Sequence, residues 1–247
     1  MEPKVIIIEI NGIGVFKVFS TGILFTECTK EEVLNHLTGK LHMFILIASN
    51  IDKAAVHKIS SYFFRESQIE SMSVMYSSVS ASLALGAQNI AVVAVDHGPK
   101  DSVIWSVDLV QKSSLNYTHS ITRTSSYETA VDKMLEYLHS STYQSATSNI
   151  FVRGDKALSE KIREELNKRS VIAAEEENLG DELQVRGYKL ACFPKYFTLH
   201  MPHNLLPDSD IVYVGAVLTI MINYFEIKEV NTREDFEAGH TKHLLLN

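Results

Sequence analysis

The chain has 247 residues, enough for one large or two small domains at roughly 150 residues each and for a sizeable buried core. Hydrophobic residues make up 45% and charged residues 21%, and 23 basic against 30 acidic side chains leave a net charge of −7, which disfavours a broad basic face for nucleic acid. Two cysteines, Cys28 and Cys192, stand far apart without a CxxC, so neither a disulfide framework nor a zinc module is indicated, and a reducing compartment fits.

The N-terminal apolar stretch, residues 5–8, is too short for a signal peptide and has the rhythm of a buried strand. Residues 5–10 predict a strand, Asn11-Gly12-Ile13-Gly14 a tight turn, and residues 15–19 the returning strand, because Asn-Gly between apolar runs is a strong hairpin signal. A helix is predicted at 30–37, capped by Thr29, with Glu31 and Glu32 near its positive end. Residues 43–48 predict a strand, and 52–64 an amphipathic helix with Ala55, Ile59 and Phe63 on its apolar face. Residues 75–85, small and apolar, predict a closely packed helix. A second buried strand at 90–95 ends at Asp96-His97-Gly98, and 103–110 returns beside it. Strands alternating with helices predict an α/β architecture.

Residues 113–148 contain 15 Ser or Thr among 36 and predict a solvated connection with one helix, from a cap at Ser126 through Val131, Met134, Leu135 and Leu138, with a regulatory Ser/Thr segment as the alternative. A strand at 149–152, the turn Arg153-Gly154-Asp155 and a helix at 156–168 follow. The acidic stretch 173–181, with Glu175-Glu176-Glu177, predicts a solvated loop. Core resumes at 188–193 and in a helix from Ile211. The apolar run 211–225 falls short of the ~18–20 residues a spanning helix needs, and the sequon at Asn116 is expected to be unused, so a cytoplasmic protein that binds neither membrane nor nucleic acid is predicted.

Signatures of catalysis are missing: there is no GxSxG, HExxH, EF-hand loop or Walker lysine loop. Gly12-Ile13-Gly14 lacks the third glycine of a dinucleotide fingerprint and opens a hairpin. His200 and His203 have metal-like spacing, but Pro202 between them works against a helical pair and no carboxylate or cysteine cluster accompanies them; His240 and His243 are judged the same way. No metal site is predicted.

Four ordered strings resemble actin and the actin-related proteins. They are Asn11-Gly12-Ile13-Gly14-Val15-Phe16-Lys17 at the first phosphate loop, Met75-Tyr76 leading by way of a strand to Asp96-His97-Gly98 at the second, Val152-Arg153-Gly154-Asp155 at the adenosine loop, and the C-terminal third. In that third, residues 211–218, the helix on to Phe225 and residues 234–239 resemble the family's last core helix and its tail. The resemblance implies an actin-like (ribonuclease H-like) two-lobed fold reduced to its two inner subdomains. Residues 1–112 would form one lobe, 113–148 a connection and 149–247 the other lobe and tail. Neither the span between Phe19 and Leu41 nor residues 113–148 has room for the family's outer subdomains.

Departures from the family pattern imply a non-catalytic member. The metal-holding aspartate corresponds to Ile10, a phosphate-binding serine to Ile13, the water-positioning glutamine falls near Ser78–Ser80, and the second aspartate of the later loop is replaced at Pro99 or Lys100. Phosphoryl transfer is positioning plus charge neutralisation, so these losses remove it. No cofactor is predicted; ATP or ADP would be at most a passive ligand of a degenerate site at Gly12, Gly14, Lys17, Asp96, Gly98 and Gly154, glycines that hairpin turns also require. Leu218, Ile222, Tyr224, Phe225, Glu234 and Glu237 are the predicted partner-binding residues. With only inner subdomains, the chain would cap the pointed end of dynactin's actin-related filament, with that filament protein and the pointed-end subunits as partners. The alternatives are a subunit of a chromatin-remodelling complex and a residual nucleotide-dependent enzyme of the wider superfamily.

Overall fold

The computed structural model describes residues 4–10, 16–19, 25–112, 114–138, 149–176, 198–200, 211–222, 230–239 and 245–246. They form two compact α/β units: Met1–Gly86 with Pro202–Asn247, and Ala87–Met201. This division differs from the predicted one. The expected cut at residue 112 falls inside the second unit, and the C-terminal segment belongs with the N-terminal residues. Hydrophobic runs betray elements, but which elements share a core is decided by contacts distant in sequence.

The first unit is built on strands β1 (Lys4–Ile10), β2 (Phe16–Phe19), β3 (Phe25–Cys28), β4 (Leu41–Ile47), β5 (Ser71–Tyr76), β11 (Asn231–Thr232) and β12 (Leu245–Leu246). Their order is β11-β5-β4-β1-β2-β3, with β12 also on β5. β1–β2 and β2–β3 are antiparallel and β1–β4 and β4–β5 parallel. The predicted hairpin pairs Ile10 with Phe16. Its turn, including Gly12 and Gly14, lies outside the described residues. Ile6, Ile8, Ile10, Met43, Ile45, Ile47, Met72 and Val74 line one core face, under α1 (Lys30–Val33), α2 (Lys53–Glu66) and Phe236 of α7 (Arg233–Glu237). Every β4 residue is buried, as a central parallel strand covered on both faces requires. On the other face Tyr213 of α6 (Ile211–Met221) stacks on Phe19 at 4.8 Å.

Local signals hold where one residue carries them. Thr29 caps α1 in a reciprocal box with Glu32, and Asp52 caps α2 through Ala55 N at 2.6 Å. Two readings are corrected. The buried face of α2 is Val56, Ser60, Phe63 and Phe64; of the predicted stripe, Phe63 is buried and Ile59 packs half-buried against the core, while Ala55 stays half-buried and Val56 and Phe64 extend the face. Met75 and Tyr76 end a strand, and the helix α3 (Ser77–Ala84) starts after them, because Met72 and Val74 alternate into the core at period two.

The second unit repeats the plan. Strands β6 (Asn89–His97), β7 (Val103–Gln111), β8 (Ser114–Thr124), β9 (Asn149–Gly154) and β10 (Thr198–His200) are ordered β10-β9-β6-β7-β8. Again the first three are joined antiparallel and the last two added parallel. Trp105, Val107, Val93 and Val152 face α4 (Tyr127–Leu138) and α5 (Lys156–Glu176) in one core. The Ser/Thr-rich stretch is thus no linker: its first part is the eleven-residue β8. Its threonines are β-branched and suit a half-buried pleated surface. Ser126 caps α4 as predicted, its Oγ accepting from Thr129 N at 3.3 Å. α5 runs on through Glu176, past the predicted end at 168, since no Gly or Pro interrupts it. The core segment read at 188–193 lies outside the described residues. Among the described residues no helix is long and apolar enough to cross a membrane.

Candidate functional site

Of the residues predicted to hold a nucleotide, Lys17 belongs to the first unit and Asp96, Gly98 and Gly154 to the second; Gly12 and Gly14 lie outside the described residues. Ile10 is 2% exposed and points into the core among Ile8, Phe16 and Ile47. Pleat alternation sends Glu9 to the opposite face. This carboxylate, which the sequence reading passed over inside an apolar run, is buried and accepts a hydrogen bond at 2.8 Å from Ser77 Oγ at the start of α3. Lys17 is in register with Glu9 on one side and with Glu27 on the other, which sets one basic residue between two acidic ones across three strands. Opposite-charge neighbours in register stabilise a sheet. Lys17 therefore has a structural reason to be there that needs no phosphate.

The serines at the start of α3 are absorbed by packing. Ser78 and Ser80 are buried, and Ser80 Oγ donates to Val212 O of α6 at 2.7 Å. A Cβ on Gly215 would come within 1.8 Å of Ser80 O, so α3 and α6 approach backbone to backbone.

In the second unit Asp96, Gly98 and Gly154 come together at the carboxyl ends of neighbouring parallel strands, where open α/β sheets bind their ligands, with Val95 of β6 in register with Gly154 of β9. Gly154 has φ +119° and a Cβ there would stand 1.8 Å from Val95 O. Asp155 N donates to that same carbonyl at 3.1 Å, and Asp155 Oδ1 accepts Leu158 N at 2.8 Å, capping α5. His97 Nε2 lies 3.3 Å from Asp155 Oδ1, bridging the two strand ends. Asp96 Oδ1 folds back to accept His97 N at 2.8 Å. The turn 98–102 is stapled shut: Ser102 Oγ donates to Pro99 O, while Arg123 of β8 donates from Nε to Ser102 Oγ and from Nη2 to Pro99 O, each at 2.7 Å. Its backbone is already committed, since Gly98 N donates to Ser102 O at 2.7 Å, and Lys100 and Asp101 both adopt positive φ. Among the described residues no group of three or more His, Cys, Asp or Glu could hold a metal ion.

The predicted partner residues divide. Leu218 is 40% and Ile222 65% exposed, and Met221, which the sequence reading did not select, is 73% exposed between them. Tyr224 and Phe225 lie outside the described residues. Glu234 and Glu237 are exposed on α7, with Glu237 3.6 Å from Arg233. Arg233 in turn donates to Ile69 O and Ser67 O, and Phe236 stacks on Phe64 at 4.9 Å, which fixes α7 against α2 and the start of β5. A hollow of about 560 Å³ beside β3 is lined by Phe16, Glu27, Cys28, Thr29, Lys30, Glu31 and Glu32. Burial, and then Glu32, push the Cys28 thiol up, away from the reactive thiolate.

No protein-family model matches this sequence, and no curated protein matches it either.

Proposed function

We propose that this chain is a non-catalytic, reduced actin-related protein that caps the pointed end of the actin-related filament of dynactin and links it to pointed-end subunits in dynein-based microtubule transport. One observation carries the reading: two units share one strand plan, and in each the third strand passes almost directly into a helix. The connection is Thr29 alone between β3 and α1, and Ser125 with Ser126 between β8 and α4. These are the segments in which the resemblance locates the family's outer subdomains. A duplicated ribonuclease H-like sheet without insertions at those two joints is what an actin-like fold reduced to its inner subdomains would be.

Several further observations support a capping protein over an enzyme. Ile10 fills core, Ser80 straps two helices, Lys17 is flanked in register by Glu9 and Glu27, and the 98–102 turn uses its own backbone donors. Phosphoryl transfer needs metal carboxylates and an oriented water, and these positions supply packing in their place. Exposed Leu218, Met221 and Ile222, spaced one helical turn apart, suit an apolar anchor from a partner.

Endogenously tagged protein, purified from its native cells, should bring down a filament-forming actin-related protein and dynein-linked subunits, identified by mass spectrometry. Recovery of a chromatin-remodelling ATPase instead would replace this reading with the nuclear one. Reversing Glu234 and Glu237 to Arg should weaken filament-end binding about tenfold or more while circular dichroism stays unchanged. ATP turnover by purified protein, abolished by Asp96→Ala, would overturn the non-catalytic assignment.

A further inference from the structure

We infer that the outward face of α2 docks an acidic helix of a partner protein. The helix carries Lys53, His57, Lys58 and Arg65, all exposed, and its one acid, Glu66, stands at the last position. Among the described residues none of Lys53, Lys58 and Arg65 forms an ion pair, whereas Lys40 is paired with Glu70, Lys168 with Glu165 and Arg233 with Glu237. α5 interleaves Lys156, Lys161 and Lys168 with Glu160, Glu164 and Glu165, so its charges offset one another along the helix; those of α2 do not. Lys53 even occupies the first helical position, where the helix dipole repels a cation. The first turn contains no acid to offset it, and the Asp52 cap is engaged with Ala55 N.

At 3.6 residues per turn, His57, Ser61, Ala54, Arg65 and Lys58 fall within an arc of about 100°, on the side away from buried Val56, Ser60 and Phe63. Ala54 and Ser61 are small, so a partner backbone can approach between the cations. From Lys53 to Arg65 the face runs about 18 Å, which matches some three turns of a helix with carboxylates one turn apart. Charge and burial select this occupant. A helix that binds a bilayer inserts its apolar face, and that of α2 is spent on the core. A nucleic acid or an anionic bilayer would also set negative charge far beyond the strip against a chain of net charge −7. An acidic helix confines its charge to the strip, within about one Debye length (~8 Å) of the cations. The inference does not rest on the capping reading, whose apolar anchor site is on α6.

The test titrates the full chain, at ~20 mM salt, into a labelled alanine-based helical peptide with Glu at every fourth position. The same peptide with Gln for Glu, phosphatidylserine vesicles and a short single-stranded DNA serve as the other arms. Saturable binding to the Glu peptide is expected, at least about tenfold tighter than to the Gln peptide and lost as salt rises to ~0.3 M. Lys58→Glu with Arg65→Glu should weaken it at least about tenfold with unchanged circular dichroism. Lys156→Glu with Lys161→Glu, which makes the same change in net charge on exposed positions of α5, should leave it within about twofold. No binding of the Glu peptide, equal binding of the Gln peptide, equal losses in the two double variants, or tighter binding to the vesicles or the DNA would each overturn the proposal.

Discussion

A methyl group on Gly154 has nowhere to go. Its backbone is left-handed at φ +119° and the Val95 carbonyl occupies the Cβ position at 1.8 Å, so Gly154→Ala should cost about 3 kcal/mol or more, read from urea unfolding of the second unit. That glycine was legible in the sequence as a turn residue, but the carbonyl that forbids any side chain was not, because Val95 is far away along the chain. His42 gives a second residue-scale expectation. It is buried on β4, hydrogen-bonded at 2.6 Å to Ser71 Oγ, and desolvation pushes its pKa down from the ordinary 6.5 to about 4. A histidine held neutral by the fold binds fewer protons than in the unfolded chain between those values. Its contribution is complete above pH 6.5 and is lost as pH falls towards 4, a difference of about 3 kcal/mol. His42→Gln should therefore flatten the pH dependence of the denaturation midpoint over that window and leave its position near neutrality less changed. Glu9 was invisible for a related reason: one acid in an apolar run reads as an accident until Ser77, 68 residues later, donates to it.

Between elements, the α3–α6 crossing is the most demanding contact of the first unit. Ala is favoured over Gly inside a helix by about 1 kcal/mol, so Gly215→Ala would stabilise α6 in isolation. Here the added methyl would stand 1.8 Å from Ser80 O, and separating the helices should reverse the sign to a net loss of about 1–3 kcal/mol by thermal or chemical unfolding. Ser80→Ala, which removes only the donor to Val212 O, should cost about 1 kcal/mol. Two caps were read correctly, Thr29 and Ser126, while Asp52 and Asp155 emerge as caps only in the structure; each acts through a backbone N–H three residues ahead. β8 was the least readable, because Ser and Thr are as common in solvated loops as in half-buried strands, and only pairing with β7 distinguishes the two.

At the scale of the molecule, the second unit is one continuous stretch with its own core under α4 and α5, whereas the first needs both ends of the chain. Residues 87–201 produced alone should therefore give a cooperative melt and dispersed amide resonances. Residues 1–86 alone should not, because they lack α6 against α3, β11 beside β5, and the Arg233 donors to Ser67 and Ile69 carbonyls. A fragment 87–201 without a cooperative transition would argue that the two units are one folding entity.

The sequence by itself determined the α/β class, the first hairpin, the starts of α1, α4, α5 and α6 and the lack of catalytic signatures, because each depends on spacing or side-chain chemistry within a few residues. Only the tertiary structure decided that the C-terminal helices complete the N-terminal sheet, that Ile10 faces core while Glu9 meets Ser77, and that the Ser/Thr-rich segment is an edge strand. Those outcomes depend on which distant segments share a face, and local pattern carries no information about the partner across the sheet.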